Sequence, residues 1–488
     1  MNTIENLNNH SSDTITTNPL LLPEILLHLG YFLTGSDLIN AILVNRTWHS
    51  ILQRYVWFSV DLPTEWAIER MPESCPSRES IRYNCHFIRK LVCPDLSMVD
   101  CLVPGCTNLI ELDIKIVTMG IVSLLSQNAN SLKSLKRIAT VHQPARDVGL
   151  RSRLFTVVAL LTRLEDLWLE RLEVHSVDEG YNFLVICQRL SSLRLSTFIW
   201  NLPYLSLYEF TGIQWLTLIK NKMAPMQELE FVSRCTNVRF FRWQTTNSLP
   251  EGQAPRVQSL LNSRLRYLRT LAIPYTSLSD ADIAVIITSL PALVNLHAEA
   301  SQFGILTTRA IVNSKRGIQE LDIRSCEATT SEMIQEILST CEDLETFGAG
   351  IFDMKDLARG PWVCERLSKL HISIMTTSTT DEAKSAEHER MYGQLAYLTK
   401  LEVLDLGDSK RAHRGTYDWF NLTLSSGLWR LKTLHKLESL TVHEVLGKEE
   451  QEWICDNFPN VEILTLSITG QTFYCVCHPS LSYESIRN

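Results

Sequence analysis

Apolar and polar positions along this chain recur in one frame, L-x-x-L-x-L. It is clearest in CTNLIELDIKI from Cys106, LTRLEDLWLE from Leu161, CQRLSSLRLS from Cys187, KRGIQELDIRSC from Lys315, CERLSKLHISI from Cys364, LTKLEVLDLGD from Leu398 and FPNVEILTLSI from Phe458. Weaker copies start at Ile88, Leu132, Ile213, Val238, Leu268, Leu293, Leu344 and Leu437. Together they make about 15 copies with a mean period of about 27 residues, a spacing that belongs to stacked repeats. Nearly every key position is apolar; Arg137, in the third copy, is the exception.

The last two leucine-type positions of each copy alternate, as in a short strand with one buried face. The stretch that follows has helical spacing, as in TTSEMIQEILSTC, where Met333, Ile334, Ile337 and Leu338 share a face. Neither element buries its apolar side alone, so neighbouring copies must stack. The expected fold is therefore α/β: a curved solenoid with parallel strands on its concave face and helices on its convex face. Longer spacings mark insertions whose Pro, Gly, Thr and charged content reads as surface loops: ATVHQPARDVGLRSR, TTNSLPEGQAPR, TTSTTDEAKSAEHER and GDSKRAHRGTYDWF.

The run NPLLLPEILLHLGYFLTGSDLINAILVNRTWHSILQRYVW, from Asn18 to Trp57, does not follow the frame. Leu22-Pro23-Glu24 starts a helix, since proline suits a first turn and glutamate complements the dipole. Thr34-Gly35-Ser36 stops it and caps a second helix, Asp37 to Leu43, and Asn45 can cap a third carrying Trp48, Ile51 and Leu52 on one face. Three short helices cannot bury this many apolar side chains among themselves. A partner or the end of the solenoid must cover the rest.

The 488 residues are 45% hydrophobic and 20% charged, which is ordinary for a globular protein, and the formal charge is −8. Lys and Arg are scattered singly, which excludes a phosphate-backbone-binding surface and makes nucleic acid an unexpected partner. No run reaches the roughly 18 apolar residues that span a bilayer, and the polar start MNTIENLNNHSSDTITT lacks the basic and apolar regions of a signal peptide. A soluble chain of the cytoplasm and/or nucleus is expected, with no membrane partner. Its thirteen cysteines fit that setting as small buried hydrophobes with free thiols, and five of them, Cys106, Cys187, Cys235, Cys341 and Cys364, occupy one repeat position. Only Cys475-Val476-Cys477-His478 has a spacing that suggests metal; with no second pair nearby, neither a metal nor another cofactor is expected.

The period, with cysteine three residues before the first leucine, resembles the cysteine-containing class of leucine-rich repeats. The Asn or Cys expected after the strand stands out only as Cys326. The N-terminal run resembles an F-box. The Leu22-Pro23-Glu24-Ile25-Leu26 start, the Asp37-Leu38 pair, Val44-Asn45-Arg46 with Trp48, and a later Trp57 occur in order, with Asn45 where many F-boxes carry Cys. An F-box followed by leucine-rich repeats resembles the F-box/LRR family, the substrate receptors of Skp/cullin/F-box ubiquitin ligases. The resemblance implies a three-helix F-box over residues 18–62, after a disordered tail over 1–17. A linker or atypical first repeat would occupy 63–86, the leucine-rich-repeat solenoid 87–468 and a second tail 469–488. It further implies docking on a Skp-type adaptor, and through it a cullin, by Leu22, Pro23, Glu24, Ile25, Val44 and Trp48, with Leu29, Leu33 and Leu43 internal. The repeats would hold an as yet unidentified protein substrate. The other reading is a stand-alone repeat scaffold whose N-terminal helices only cap the solenoid.

The outward strand positions of consecutive copies place Trp168, Arg194, Trp215, Phe240 and Arg242 in one patch. Aromatic and arginine side chains dominate binding hot spots, so this is the expected substrate surface. Elsewhere the same column carries His297, Asp322, Gly348, His371 and Asp405. There is no Gly-rich phosphate loop, no G-x-S-x-G and no H-E-x-x-H, and no enzyme activity is expected.

Overall fold

A computed structural model describes residues 22–62, 77–93, 105–139, 148–200, 202, 204–314, 317–406, 418–442, 446–466 and 472–476. They fall into two units, Met1–Asp166 and Leu167–Asn488. No helix among the described residues is long and apolar enough to cross a membrane.

The first unit opens with helices α1 (Pro23–Phe32), α2 (Gly35–Ile42) and α3 (Arg46–Val56). Pro23 sits in the first turn of α1 with Glu24 beside it. The Thr34 side chain accepts the Asp37 backbone N–H at the start of α2, and Asn45 Oδ1 accepts that of Trp48 at 3.0 Å at the start of α3. Four parallel strands follow: β1 (Ser59–Asp61), β2 (Lys90–Cys93), β3 (Glu111–Ile114) and β4 (Ser134–Ala139). The first of them precedes the copy at Ile88. The span from Pro63 to His86 lies outside the described residues up to 76, and Arg78–Asn84 is helical.

Arg137 does not occupy an inward position. It adopts a left-handed φ of 54°, which turns its side chain onto Asp113, whose Oδ1 accepts Arg137 Nε at 2.6 Å. The next residue, Ile138, fills the core instead. One residue of slippage thus restores the apolar frame that the sequence appears to break.

In the second unit the strands β5 (Asp166–Glu170, entering from the first unit), β6 (Ser192–Ser196), β7 (Trp215–Ile219), β8 (Phe240–Gln244), β9 (Thr270–Ala272), β10 (Asn295–His297), β11 (Glu320–Asp322), β12 (Thr346–Asp353), β13 (Lys369–Thr376), β14 (Val403–Asp405), β15 (Asp418–Trp419), β16 (Ser439–Val442), β17 (Glu462–Leu466) and β18 (Thr472–Val476) follow. From β6 to β17 they pair in parallel, with β15 antiparallel to β13 and β18 antiparallel to β17. The register is the repeat frame itself: Leu193, Leu216, Phe241, Leu271, Leu296, Leu321, Phe347, Leu370, Leu404, Leu440 and Ile463 stand in one row, and all are buried. Helices such as Asp280–Thr288 and Ser331–Leu338 bury one stripe each. This is an α/β fold of leucine-rich-repeat type.

Several turns after a strand use a device that composition does not reveal. Arg171, Thr197, Lys220, Tyr275, Ala300 and Ser325, each two residues past the second strand leucine position, have φ between 49° and 60°. The cost of this left-handed backbone, roughly 1–2 kcal/mol for a residue with a side chain, is offset by hydrogen bonds between repeats. The N–H groups of Arg171, Thr197 and Lys220 donate to the carbonyls of Ser196, Ile219 and Gln244 at 2.7–2.8 Å. The next residue points inward, and at Asn221 it is the polar group expected after the strand: its Oδ1 accepts the Phe198 N–H at 2.9 Å. Asn221 therefore joins Cys326 at that position, with buried Thr276 and Ser301 in two further copies.

Several readings need correction. Of the insertions expected as surface loops, ATVHQPARDVGLRSR is helical from Val148 and TTNSLPEGQAPR from Ala254, where the helices Val148–Leu160 and Ala254–Arg264 begin. TTSTTDEAKSAEHER is not a loop throughout: from Asp381 it forms a helix ending at Tyr397 and capped by Thr380. Its charges hide a short inward stripe of Met391, Tyr392 and Leu395, and Glu387 is buried because its carboxylate accepts the hydroxyls of Thr376 and Ser378. Among the cysteines, Cys85, Cys93, Cys106, Cys187, Cys235, Cys326, Cys341 and Cys364 are free thiols, but Cys455 is disulfide-bonded. The segments ARDVG up to Asp147, GDSKRAHRGTY from Gly407 and the pair Cys477-His478 lie outside the described residues.

Candidate interaction surfaces

The first surface lies on the three N-terminal helices. Their small core consists of Leu26 and Leu52, both fully buried, with Leu38 and Ala41. α1 approaches α3 at Gly30, and Tyr55 Oη donates to the Leu27 carbonyl at 2.6 Å, locking the two together. What remains outside is apolar: Phe32 is 68% exposed, Ile39 54%, Leu43 76% and Val44 60%. Leu22, Pro23 and Glu24 are also exposed, and Ile25 and Trp48 are half-buried. Leu43 was expected inside; it lies at the C-cap of α2, past the last residue that faces α3, and so points to solvent. Exposed large apolar side chains gathered on so short a segment mark it as a candidate surface for another molecule to cover.

The second surface is the outward side of β5–β8. Trp215 and Phe240 are direct neighbours in the β7–β8 register and stack with ring centroids 5.0 Å apart and planes at 29°, yet Trp215 stays 55% exposed. One row further along the strands, Arg194, Thr217 and Arg242 stand side by side. The Arg194 guanidinium carbon lies 3.8 Å from the centroid of the Trp168 ring. Burial, with the Arg242 charge second, pulls the Arg194 pKa below the usual guanidinium range, and Glu170 opposes the shift. Trp168 Nε1, Arg194 Nε and Arg242 Nε are all buried without an acceptor. The five residues thus form two linked pairs, with Arg242 beside them. The frame alone placed them on one face, but it did not foresee the stacking of Arg194 on Trp168.

Several other polar groups of the same face are paired. His371 Nδ1 lies 3.1 Å from Asp405 Oδ2, His297 Nε2 lies 3.7 Å from Glu320, and Arg324 makes two hydrogen bonds to Asp322. A hollow of about 730 Å³ beside the insertion helix is polar, and its ions are paired as Lys384 with Asp418 and Arg430 with Glu389. No group of three or more His, Cys, Asp or Glu side chains among the described residues could hold a metal ion.

Fold and surfaces together define a leucine-rich-repeat-like α/β protein with an apolar three-helix appendage. No protein-family model matches the chain, and no curated protein does. Among solved structures, it is similar to a chain in the crystal structure of the Rad7 and Elc1 complex in yeast, at 14% identity over 81% of this chain and 89% of that one, with a TM-score of 0.39. A likeness of that degree decides nothing about what this protein does.

Proposed function

We propose that this protein is a non-catalytic substrate-recognition subunit of a Skp/cullin/F-box ubiquitin ligase. The observation that carries the reading is the exposure of Leu22, Pro23, Leu43 and Val44, with Ile25 and Trp48 half-buried, on helices whose sequence resembles an F-box. A Skp-type adaptor would cover this surface, burial of apolar area being the main driving force at about 25 cal/mol per Å². A cullin would be recruited through the adaptor. The strand face of the repeats, with Trp168, Arg194, Trp215, Phe240 and Arg242, would hold the protein substrate while the ligase machinery transfers ubiquitin, so this chain itself needs no catalytic group, metal or cofactor. The setting that fits this role is the cytoplasm and/or nucleus.

The test is co-purification of the full chain with a Skp-type adaptor, beside a Pro23→Ala/Ile25→Asp variant and a Leu43→Asp/Val44→Asp variant. Because Leu43 and Val44 are exposed, the second pair should change stability by less than about 1 kcal/mol. A complex formed by the parent chain and lost in both variants supports the ligase reading. A folded parent chain that never binds the adaptor overturns it and leaves a repeat scaffold.

A further inference from the structure

We infer that the edge of the second unit at which strands β8 and β9 begin is a docking site for a carboxylate-rich segment of another protein, held by Arg234, Arg239, Arg264, Arg266 and Arg269 beside Tyr267. This is a partner surface separate from the outward strand face, and it does not rest on the ligase reading.

Between Phe231 and Thr270 the sequence carries seven arginines, a single glutamate and neither lysine nor aspartate, in a chain whose formal charge is −8. Placed singly in the sequence, five of them are gathered by the fold. Arg234 is the C-cap of the helix Pro225–Ser233, and Arg264 closes the helix Ala254–Arg264. Arg239 and Arg269 stand directly before β8 and β9 and are neighbours, the Arg269 N–H donating to the Arg239 carbonyl at 2.9 Å. Arg266 lies on the turn that leads to β9, with Tyr267 beside it 61% exposed. The other two point elsewhere in the unit: Arg242 belongs to the strand face, and Arg256 to the first turn of the helix Ala254–Arg264.

These charges are poorly balanced. Glu209 pairs with Arg264 at 2.8 Å, whereas the side chains of Arg234, Arg239, Arg266 and Arg269 make no ion pair among the described residues. The helix dipole accounts for a cation at Arg234 and at Arg264, both at C-terminal helix ends. It does not account for Arg239, Arg266 and Arg269, which lie past the helices and are exposed. Their mutual repulsion is relieved when an anionic group arrives.

The extent of the patch selects the ligand. Hydrogen bonds between repeats continue the row of Arg239 and Arg269 through Val294, Gln319, Glu345, Ser368, Glu402 and Glu438, and on the other side through Gln214 to Ser191. The row is therefore cationic on two rungs, about 4.8 Å apart, and carries carboxylates farther along. Two rungs and the turns leading to them match a few acidic residues of an extended segment, whose alternate side chains fall on one face. Guanidinium forks take such carboxylates in bidentate pairs, and the Tyr267 ring offers the segment a flat contact. A nucleic-acid strand would run its charge past the patch, where no cation of the row continues it.

Fluorescence anisotropy of the full chain with a labelled oligoglutamate peptide tests this, beside an oligoglutamine peptide and an oligouridylate of the same charge as the first. Expected is binding of the glutamate peptide and not of the glutamine peptide, weakening as salt is raised, with a loss of about tenfold or more in Arg239→Gln/Arg269→Gln. Lys222→Gln/Arg256→Gln removes the same charge from the opposite edge, where strands end and helices begin, and should bind as the parent does. All four side chains are exposed, so both variants should fold, and their unfolding midpoints check it. No binding of the glutamate peptide, equal binding of the glutamine peptide, an equal loss in both double variants, or tighter binding of the oligouridylate would each overturn the inference. Adaptor co-purification, measured on the same variants, is separate: its failure bears on the ligase reading alone.

Discussion

Glu228 accepts the indole N–H of Trp243 at 2.7 Å and the Asn221 side-chain amide at 3.0 Å, inside the second unit. Burial is the larger influence on the Glu228 carboxyl and raises its pKa from 4.5 to about 7, against the two hydrogen bonds. Because the folded-state value lies above the unfolded one, the folded form binds the proton more tightly. The stabilisation is therefore fully present below about pH 4.5 and is lost as pH rises through about 7, a difference on the order of a few kcal/mol. We expect Glu228→Gln to flatten this part of the profile. Urea unfolding of parent and variant between pH 4.5 and 8 measures it, and parallel profiles would show that Glu228 does not titrate there.

At Gly30 an added Cβ would come within 2.6 Å of Tyr55 Cδ2 and 2.9 Å of Leu52 Cδ2. Tyr55 is held by its hydrogen bond to the Leu27 carbonyl, so it cannot step aside freely. The gain of alanine over glycine in a helix, about 1 kcal/mol, is smaller than the cost of overpacking, about 1–3 kcal/mol. Gly30→Ala should lower the stability of the three-helix segment. Faster amide exchange across α1 would report it; unchanged protection would mean that Tyr55 yields.

Thr197 is β-branched and sits at a φ of 52°, a region that Asn enters more easily. Its backbone N–H bond to the Ile219 carbonyl does not depend on the side chain. Thr197→Asn should raise stability by up to about 1 kcal/mol. A lower denaturation midpoint would show that the hydroxyl or methyl group matters more than the backbone.

Burial pushes the thiol pKa of Cys106 and Cys364 up to about 12 and that of Cys341 to about 11. At pH 8 these groups hold almost no thiolate, the form that reacts. A disulfide reagent such as DTNB should leave them unmodified in the folded protein and label them after unfolding, with the sites read by mass spectrometry. Rapid native labelling at any of the three would contradict the packing described.

What the sequence determined on its own is whatever depends on periodic burial. The L-x-x-L-x-L frame specifies which residues form the inner ladder from Leu193 to Ile463, because alternation in a strand leaves one face for the core. Leu22-Pro23, Thr34 and Asn45 mark the helix starts through local backbone chemistry alone. The tertiary structure decided what depends on neighbours distant in sequence. Arg137 yields its place to Ile138 because Asp113, on the adjacent strand, holds the guanidinium. Asn221 matters because the Phe198 N–H that it accepts lies in the preceding repeat, and residues as ordinary as Lys220 or Ala300 take a left-handed turn because the next repeat accepts their N–H. Trp168 and Arg194, 26 residues apart by their numbering, are placed on the same face by the frame. Only the stacking of one strand on the next puts the indole under the guanidinium and leaves the donors of both unpaired.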